Sequence, residues 1–121
     1  IIPGRLPSLN QYIAAERSNR YKAAKMKKDM QLRIGACIRA ARLKPARIPV
    51  KLHYTFYEPN RRRDKDNIAA TAHKFIQDAL VQCGVLPNDS WAYIEGFNDS
   101  FFIDKDNPRI KVIIEQQPDV K

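Results

Sequence analysis

Apolar and polar residues alternate between positions 48 and 57, where the sequence reads IPVKLHYTFY. Successive side chains of a β-strand point to opposite faces of the sheet, so this alternation predicts a strand with one buried face. The residues expected on the buried face are Ile48, Val50, Leu52, Tyr54 and Phe56.

A helical period follows from position 68 onwards. Apolar residues recur every three or four positions, Gly84 supplies a left-handed cap residue, and Pro87 prevents the helix from resuming. The apolar face comprises Ile68, Ala72, Phe75, Ile76, Ala79, Leu80 and Cys83, and the opposite face comprises Asn67, Thr71, Lys74 and Asp78.

A longer helix is predicted from about Asn19 to Leu43, a stretch without proline. Pro45 disfavours helix at Lys44 and therefore ends the element. The apolar stripe comprises Tyr21, Met26, Met30, Ile34, Cys37, Ile38 and Ala41, and basic residues including Lys22, Lys25 and Lys28 lie away from it.

Three further strands complete the prediction. A short first strand ends near Ile2, a second runs from Trp91 to Ile103 with a bend at 98–100, and the last contains Ile110 and Ile114. The order is therefore strand, helix, strand, helix, strand, strand. We predict a single α+β domain over residues 1–121, with two main helices against one face of a mixed sheet.

The net charge of +9 is divided unevenly along the chain. Residues 1–63 hold sixteen Lys and Arg against three Asp and Glu, whereas residues 64–121 hold six against ten. A basic surface attracts polyanions and predicts salt-dependent binding to nucleic acid, without indicating which one. No apolar run approaches the ~20 residues that span a bilayer, so we expect a cytoplasmic protein without a membrane partner.

Two carboxylates, Asp64 and Asp66, directly follow a run of arginines from Arg61 to Arg63. Side chains two residues apart in an extended or turn segment leave the same side of the backbone, so both can approach one cation. Mg²⁺ is commonly held by one or two carboxylates together with waters and substrate phosphates. Asp89, beyond the predicted helix, is the candidate third ligand. Lys65 lies between Asp64 and Asp66 and is expected to point away from the face that they share.

Other interpretations of this motif stay open. An Asp-x-Asp-Asn sequence is common in solvated turns and at helix caps, and three arginines can form an exposed charged run. An EF-hand calcium loop is disfavoured, because Ala69 occupies the position where that loop needs glycine.

The residues around this motif resemble the RusA-type Holliday junction resolvases. The resemblance covers most of the chain and rests on Leu6 to Asn10 with Tyr12, on Arg62 to Asn67, on Asp78 to Leu80, on Gly84 with Val85, and on Asp89 with Ser90. Many members carry a second acidic residue where this chain has Asn88.

The resemblance implies that Asp64, Asp66 and Asp89 bind Mg²⁺, which Mn²⁺ could replace, and cut DNA. In the family, the catalytic lysine lies four positions after the second aspartate and four positions before the aspartate of Asp-Ala-Leu. In this chain the first count reaches Ala70 and the second reaches Lys74. Four residues are therefore inserted between the two motifs, and Lys74 is the candidate catalytic lysine. The residues expected to contact DNA are Arg61, Arg62, Arg63, Asn67, Lys22, Lys25 and Lys28.

The predicted function is a Mg²⁺-dependent endodeoxyribonuclease that nicks branched DNA, with the four-way junction as the substrate that the resemblance implies. Such a junction needs two nicks and the chain has residues for one site, so we expect a symmetric homodimer. The candidates for its interface are Trp91, Tyr93 and Phe97, with Phe101 and Phe102 close behind.

Two alternatives fit the same residues. One is a non-catalytic protein that binds structured RNA or DNA through the basic helix. The other is a member of the fold that has lost junction cleavage through the displaced Lys74 and through Asn88.

Overall fold

A computed structural model describes residues 1–118 of the chain. Its centre is a four-stranded mixed sheet in the order β1-β4-β2-β3. The strands are β1 (Ile2–Pro3), β2 (Val50–Glu58), β3 (Ile94–Ile103) and β4 (Arg109–Glu115). β2 pairs in parallel with β3 and antiparallel with β4, which also pairs antiparallel with β1. β3 therefore forms one edge of the sheet.

The alternation in β2 produces the predicted buried face from Val50 onwards, whereas Ile48 precedes the strand and is 38% exposed. Val50, Leu52, Tyr54 and Phe56 are each at most 1% exposed, while the residues between them are partly exposed. The helices are α1 (Leu9–Ser18), α2 (Arg20–Ala41) and α3 (Lys65–Gln82). Residues of α2 and α3 that complete the core against β2 include Met30, Ile34, Ile68, Ala72, Phe75, Ile76, Ala79 and Leu80. The predicted α+β class and mixed sheet are confirmed.

The helix α1 was not predicted from the sequence. Ser8 caps α1 through a reciprocal capping box, in which its hydroxyl accepts the Gln11 N–H and the Gln11 side chain accepts the Ser8 N–H. Asn19 is extended, ends α1, and accepts the Tyr21 N–H to cap α2. The order of elements is thus strand, two helices, strand, helix, strand, strand. Tyr21 is 70% exposed and does not belong to the buried stripe.

The strand predicted to begin at Trp91 begins at Ile94 instead, and it continues without interruption through residues 98–100. Trp91 lies in the preceding turn and is 97% exposed, so it does not share a strand face with Phe97. Thr71, predicted on the exposed face of α3, is buried and donates its hydroxyl to the Pro7 carbonyl at 2.6 Å. This contact joins α3 to the segment before α1.

Polar contacts also join α3 to the sheet. His73 contacts the Asp99 carboxylate of β3 at 2.7 Å, and Gln77 donates to the Tyr54 hydroxyl at 3.2 Å. Burial raises the pKa of Tyr54 to about 12, because the charged phenolate is disfavoured in the core. Within residues 1–118, no helix is both long and apolar enough to cross a bilayer.

Candidate active site

An open groove of about 980 Å³ lies where β2 and β3 end and α3 begins. The Asp104 N–H donates to the Glu58 carbonyl at 2.8 Å, which holds the ends of β2 and β3 together. The residues that line the groove are Glu58, Asn60, Arg61, Arg63, Asp64, Lys65, Asp66, Ile68, Phe101, Phe102 and Ile103. The groove therefore combines carboxylates, cations and an aromatic wall.

Asp64 and Asp66 both line this groove and are exposed. Asp64 is the N-cap residue of α3, yet its carboxylate accepts no capping hydrogen bond from the described backbone. An N-cap aspartate normally accepts an N–H from the first turn, so both of these oxygens are available to another partner. Asp66 accepts the Asn67 N–H at 2.9 Å through Oδ1. The positive end of the helix dipole stabilises both negative charges.

Glu58 is a third carboxylate in the groove, and it was not predicted. Its side chain is only 7% exposed, and Arg5 donates to Oε1 from Nε at 3.2 Å and from Nη2 at 2.9 Å. The signal for this residue was present in the sequence. Position 58 continues the alternation of the buried face of β2, so a charged residue there had to be paired.

The arginine run divides into three different roles. Arg61 lines the groove, whereas the Arg62 backbone N–H donates to Asn60 Oδ1 at 3.0 Å and its side chain is not part of the lining. Arg63 donates to the Leu6 carbonyl and to Gln11 Oε1, each at 2.8 Å. Burial, followed by the nearby positive charge of Arg5, lowers the pKa of Arg63. Arg63 thus anchors the loop to the segment that begins α1.

Lys65 lies in the groove with the aspartates, and the prediction that it points away from them is wrong. Its Nζ is 5.6 Å from the centroid of the Phe101 ring, within reach of a cation–π contact. The reason is that residues 65 and 66 already belong to α3, where side chains fan around the helix instead of alternating.

Lys74 lies further along α3 and outside the lining of the groove. It is separated from Asp66 by eight residues, or about 12 Å of helix. Its Nζ contacts Asp78 Oδ1 at 3.3 Å, and its side chain is 64% exposed. A role for Lys74 in the chemistry stays a prediction.

Asp89 is at the opposite end of the domain from the groove. It follows α3, whose eighteen residues span about 27 Å. The neighbouring Tyr93 carbonyl accepts the Val50 N–H at 2.9 Å, which places this turn beside the start of β2. The structure does not bring Asp89 to Asp64 and Asp66 within one chain. Among residues 1–118, no group of three or more His, Cys, Asp and Glu side chains is arranged to hold a metal ion.

The basic residues predicted on the long helix lie on α2. Lys22 and Lys25 border a second, shallower depression together with Met26, Asp29 and Arg33, and Lys28 is exposed. Arg33 itself is engaged, because its guanidinium donates to the Pro3 and Arg5 carbonyls. The exposed lysines are therefore the free cations on this part of α2 within the described chain.

The fold and the groove define a small basic α+β protein whose exposed carboxylates and cations meet at one helix N-terminus. The family model described as endodeoxyribonuclease RusA matches residues 3–115. The chain belongs to the RusA endodeoxyribonuclease family, and the resemblance seen in its sequence is confirmed. A search of curated protein sequences finds no significant match to the chain.

Proposed function

We propose that this protein is a divalent-metal-dependent endonuclease that nicks four-way DNA junctions. The observation that carries the proposal is the exposed pair Asp64 and Asp66, which line one groove with Arg61 and Lys65 at the start of α3. Two exposed carboxylates fit the coordination of Mg²⁺, which is usually completed by water and phosphate oxygens. When bound, such an ion polarises the scissile phosphate and lowers the pKa of an attacking water.

The residues of the groove then have distinct tasks. Arg61 and Lys65 are placed to bind phosphate oxygens beside the carboxylates, where a fixed cation stabilises developing negative charge. Arg63 is a positioning residue, because its hydrogen bonds to Leu6 and Gln11 fix the loop that carries Asp64. We retain Lys74 as the family's catalytic lysine.

Asp89 can join this site only from a second copy of the chain. β3 is an edge strand of ten residues, so its outer edge is free to pair with another β3. Antiparallel pairing about a two-fold axis would place the Ile94 end of one β3 beside the Ile103 end of the other. The turn that carries the partner subunit's Asp89 would then approach the groove. We therefore propose a homodimer with two composite sites.

A mixing experiment tests both the chemistry and the dimer. Asp64→Asn and Asp89→Asn should each abolish Mg²⁺-dependent nicking of a four-way junction while leaving junction binding in EDTA intact or stronger. If each site takes Asp64 and Asp66 from one chain and Asp89 from the other, then one of the two sites in a mixed dimer keeps all three aspartates. Refolding the two variants together in equal amounts should restore nicking to about a quarter of the wild-type rate, because half of the dimers are mixed and each has one working site.

The result that would overturn the composite site is equally clear. If both aspartates act within one chain, every mixed dimer is inactive and no nicking returns. Glu16→Gln is the matched control, since it changes an exposed carboxylate on α1 outside the groove and should leave nicking near wild type.

A non-catalytic nucleic-acid-binding protein is the alternative, and the separation of Asp89 from the groove within one chain favours it. It predicts that wild-type protein binds junctions or structured RNA but nicks neither. Equal amounts of intact junction after incubation with the protein in Mg²⁺ and in EDTA would establish the non-catalytic alternative.

A further inference from the structure

The face of the sheet opposite the helices carries a stack of three side chains. Tyr57 of β2 lies beside Phe102 of β3 and opposite Arg109 of β4 in the strand register. The Tyr57 and Phe102 rings are stacked, with centroids 5.7 Å apart and planes inclined by 25°. The Arg109 guanidinium lies 3.7 Å from the centroid of the Tyr57 ring. Tyr57 is thus held between a cation and a second aromatic ring.

Hydrogen bonds from Arg109 fix the position of this stack. Arg109 donates to Asp104 Oδ2 at 2.8 Å and to the Asn107 carbonyl at 2.9 Å, both in the turn between β3 and β4. These bonds hold the guanidinium over the Tyr57 ring. Phe102, in contrast, is 55% exposed and offers its ring to solvent. An aromatic side chain held in place but left uncovered is suited to stack with a planar ligand.

The position of Phe102 indicates which ligand this is. Phe102 also lines the groove that contains Asp64 and Asp66, so a group stacked on it would adjoin a phosphate bound there. The same groove is lined by the cations Arg61 and Lys65. An exposed ring in a groove that also holds cations matches a nucleotide, which combines a flat base with an anionic backbone.

We propose that Phe102, supported by Tyr57 and Arg109, is a stacking platform for a base that has left the helix stack at the branch point. The proposal rests on the proposed action on junctions. Unstacking a base is costly within a continuous duplex and less costly where stacking is already interrupted. The platform would therefore favour branched over linear DNA, which makes Phe102 a specificity-determining residue.

The test is a binding measurement in EDTA, so that cleavage plays no part. The probes are a four-way junction with 2-aminopurine at the branch point and a linear duplex of the same arm sequence. Phe102→Ala should weaken junction binding on the order of tenfold, the loss typical for removing one stacked base, and change duplex binding by less than about twofold. The variant should also lose the 2-aminopurine signal that accompanies wild-type binding, and Phe102→Tyr should retain both.

Ile113→Ala is the matched control. Ile113 is 49% exposed and lies opposite His53, about 13 Å along β2 from Tyr57. It should bind both probes like wild type. The stacking platform would be overturned if Phe102→Ala weakened binding to junction and duplex equally, or weakened neither. A change in the oligomeric state of this variant, measured by sedimentation, would also overturn it. A protein that depends on Phe102 for junction binding but never nicks would instead disprove only the proposed nuclease function.

Discussion

Removing the charge of Glu58 is expected to destabilise the fold, because Arg5 would lose the carboxylate that accepts two of its hydrogen bonds. Arg5 is 28% exposed, which moderates the loss by solvent screening. We expect Glu58→Gln to lower the free energy of unfolding by about 1–3 kcal/mol in urea titrations. Asp78→Asn, which breaks the more exposed pair with Lys74, should cost less than about 0.5 kcal/mol. Equal losses of unfolding free energy in the two variants would show that burial of the Arg5–Glu58 pair adds nothing to stability.

The two lysines of α3 can be separated by kinetics. Lys74→Ala should slow nicking at saturating junction without weakening binding, if the family position determines its role. Lys65→Ala should weaken binding, because Lys65 lies in the groove where phosphate would bind. If Lys65→Ala abolishes nicking at saturation and Lys74→Ala does not, the inserted helical turn has changed which lysine acts.

At the scale of the elements, α2 is expected to supply much of the non-specific affinity for DNA. Changing Lys22, Lys25 and Lys28 to Gln should weaken binding to all DNA shapes. It should also reduce the slope of log affinity against log salt by about 0.9 for each duplex phosphate that the variant no longer neutralises. Lys44→Gln, beyond the end of α2, is the control. An unchanged slope in the triple variant would mean that these lysines are only solvated. Arg63 is unsuited to this test, because its replacement would also remove the anchor to Leu6 and Gln11.

Periodicity predicted β2, α3 and β4 well, because each buries one face of a regular repeat. It placed the start of α2 correctly near Asn19 but missed α1 (Leu9–Ser18). The buried residue of α1 is Ala15 alone, so this helix has no marked apolar stripe. The start of β3 was also misplaced, since Trp91 and Tyr93 alternate like strand residues although both belong to a turn. Asp64 and Asp66 line one groove because they are close in the chain, although Asp66 lies in α3 and not in the extended segment that the prediction assumed. The separation of Asp89 from them follows from the length of α3, whose eighteen residues span about 27 Å.

For the whole molecule, we expect the edge of β3 to determine both association and activity. Asn98 and Ser100 lie near the middle of β3, close to where a two-fold axis would cross an antiparallel pair. Replacing both by Lys should place like charges beside each other and disfavour the dimer. Sedimentation at micromolar concentration should show a dimer for wild type and a monomer for the variant, with loss of nicking but unchanged circular dichroism. A wild-type monomer, both free and bound to a junction, would exclude the homodimer.

The pairing of β1 with β4 has a consequence for how the chain folds during synthesis. Ile2 finds its partner Ile110 more than a hundred residues later, and β4 also completes the sheet beside β2. The ribosome therefore releases all three helices and both parallel strands before the antiparallel half of the sheet can close. Such long-range pairing is slow to form, and until it does the apolar side of β2 stays incompletely covered. The nascent protein should depend on chaperones until its last strand emerges.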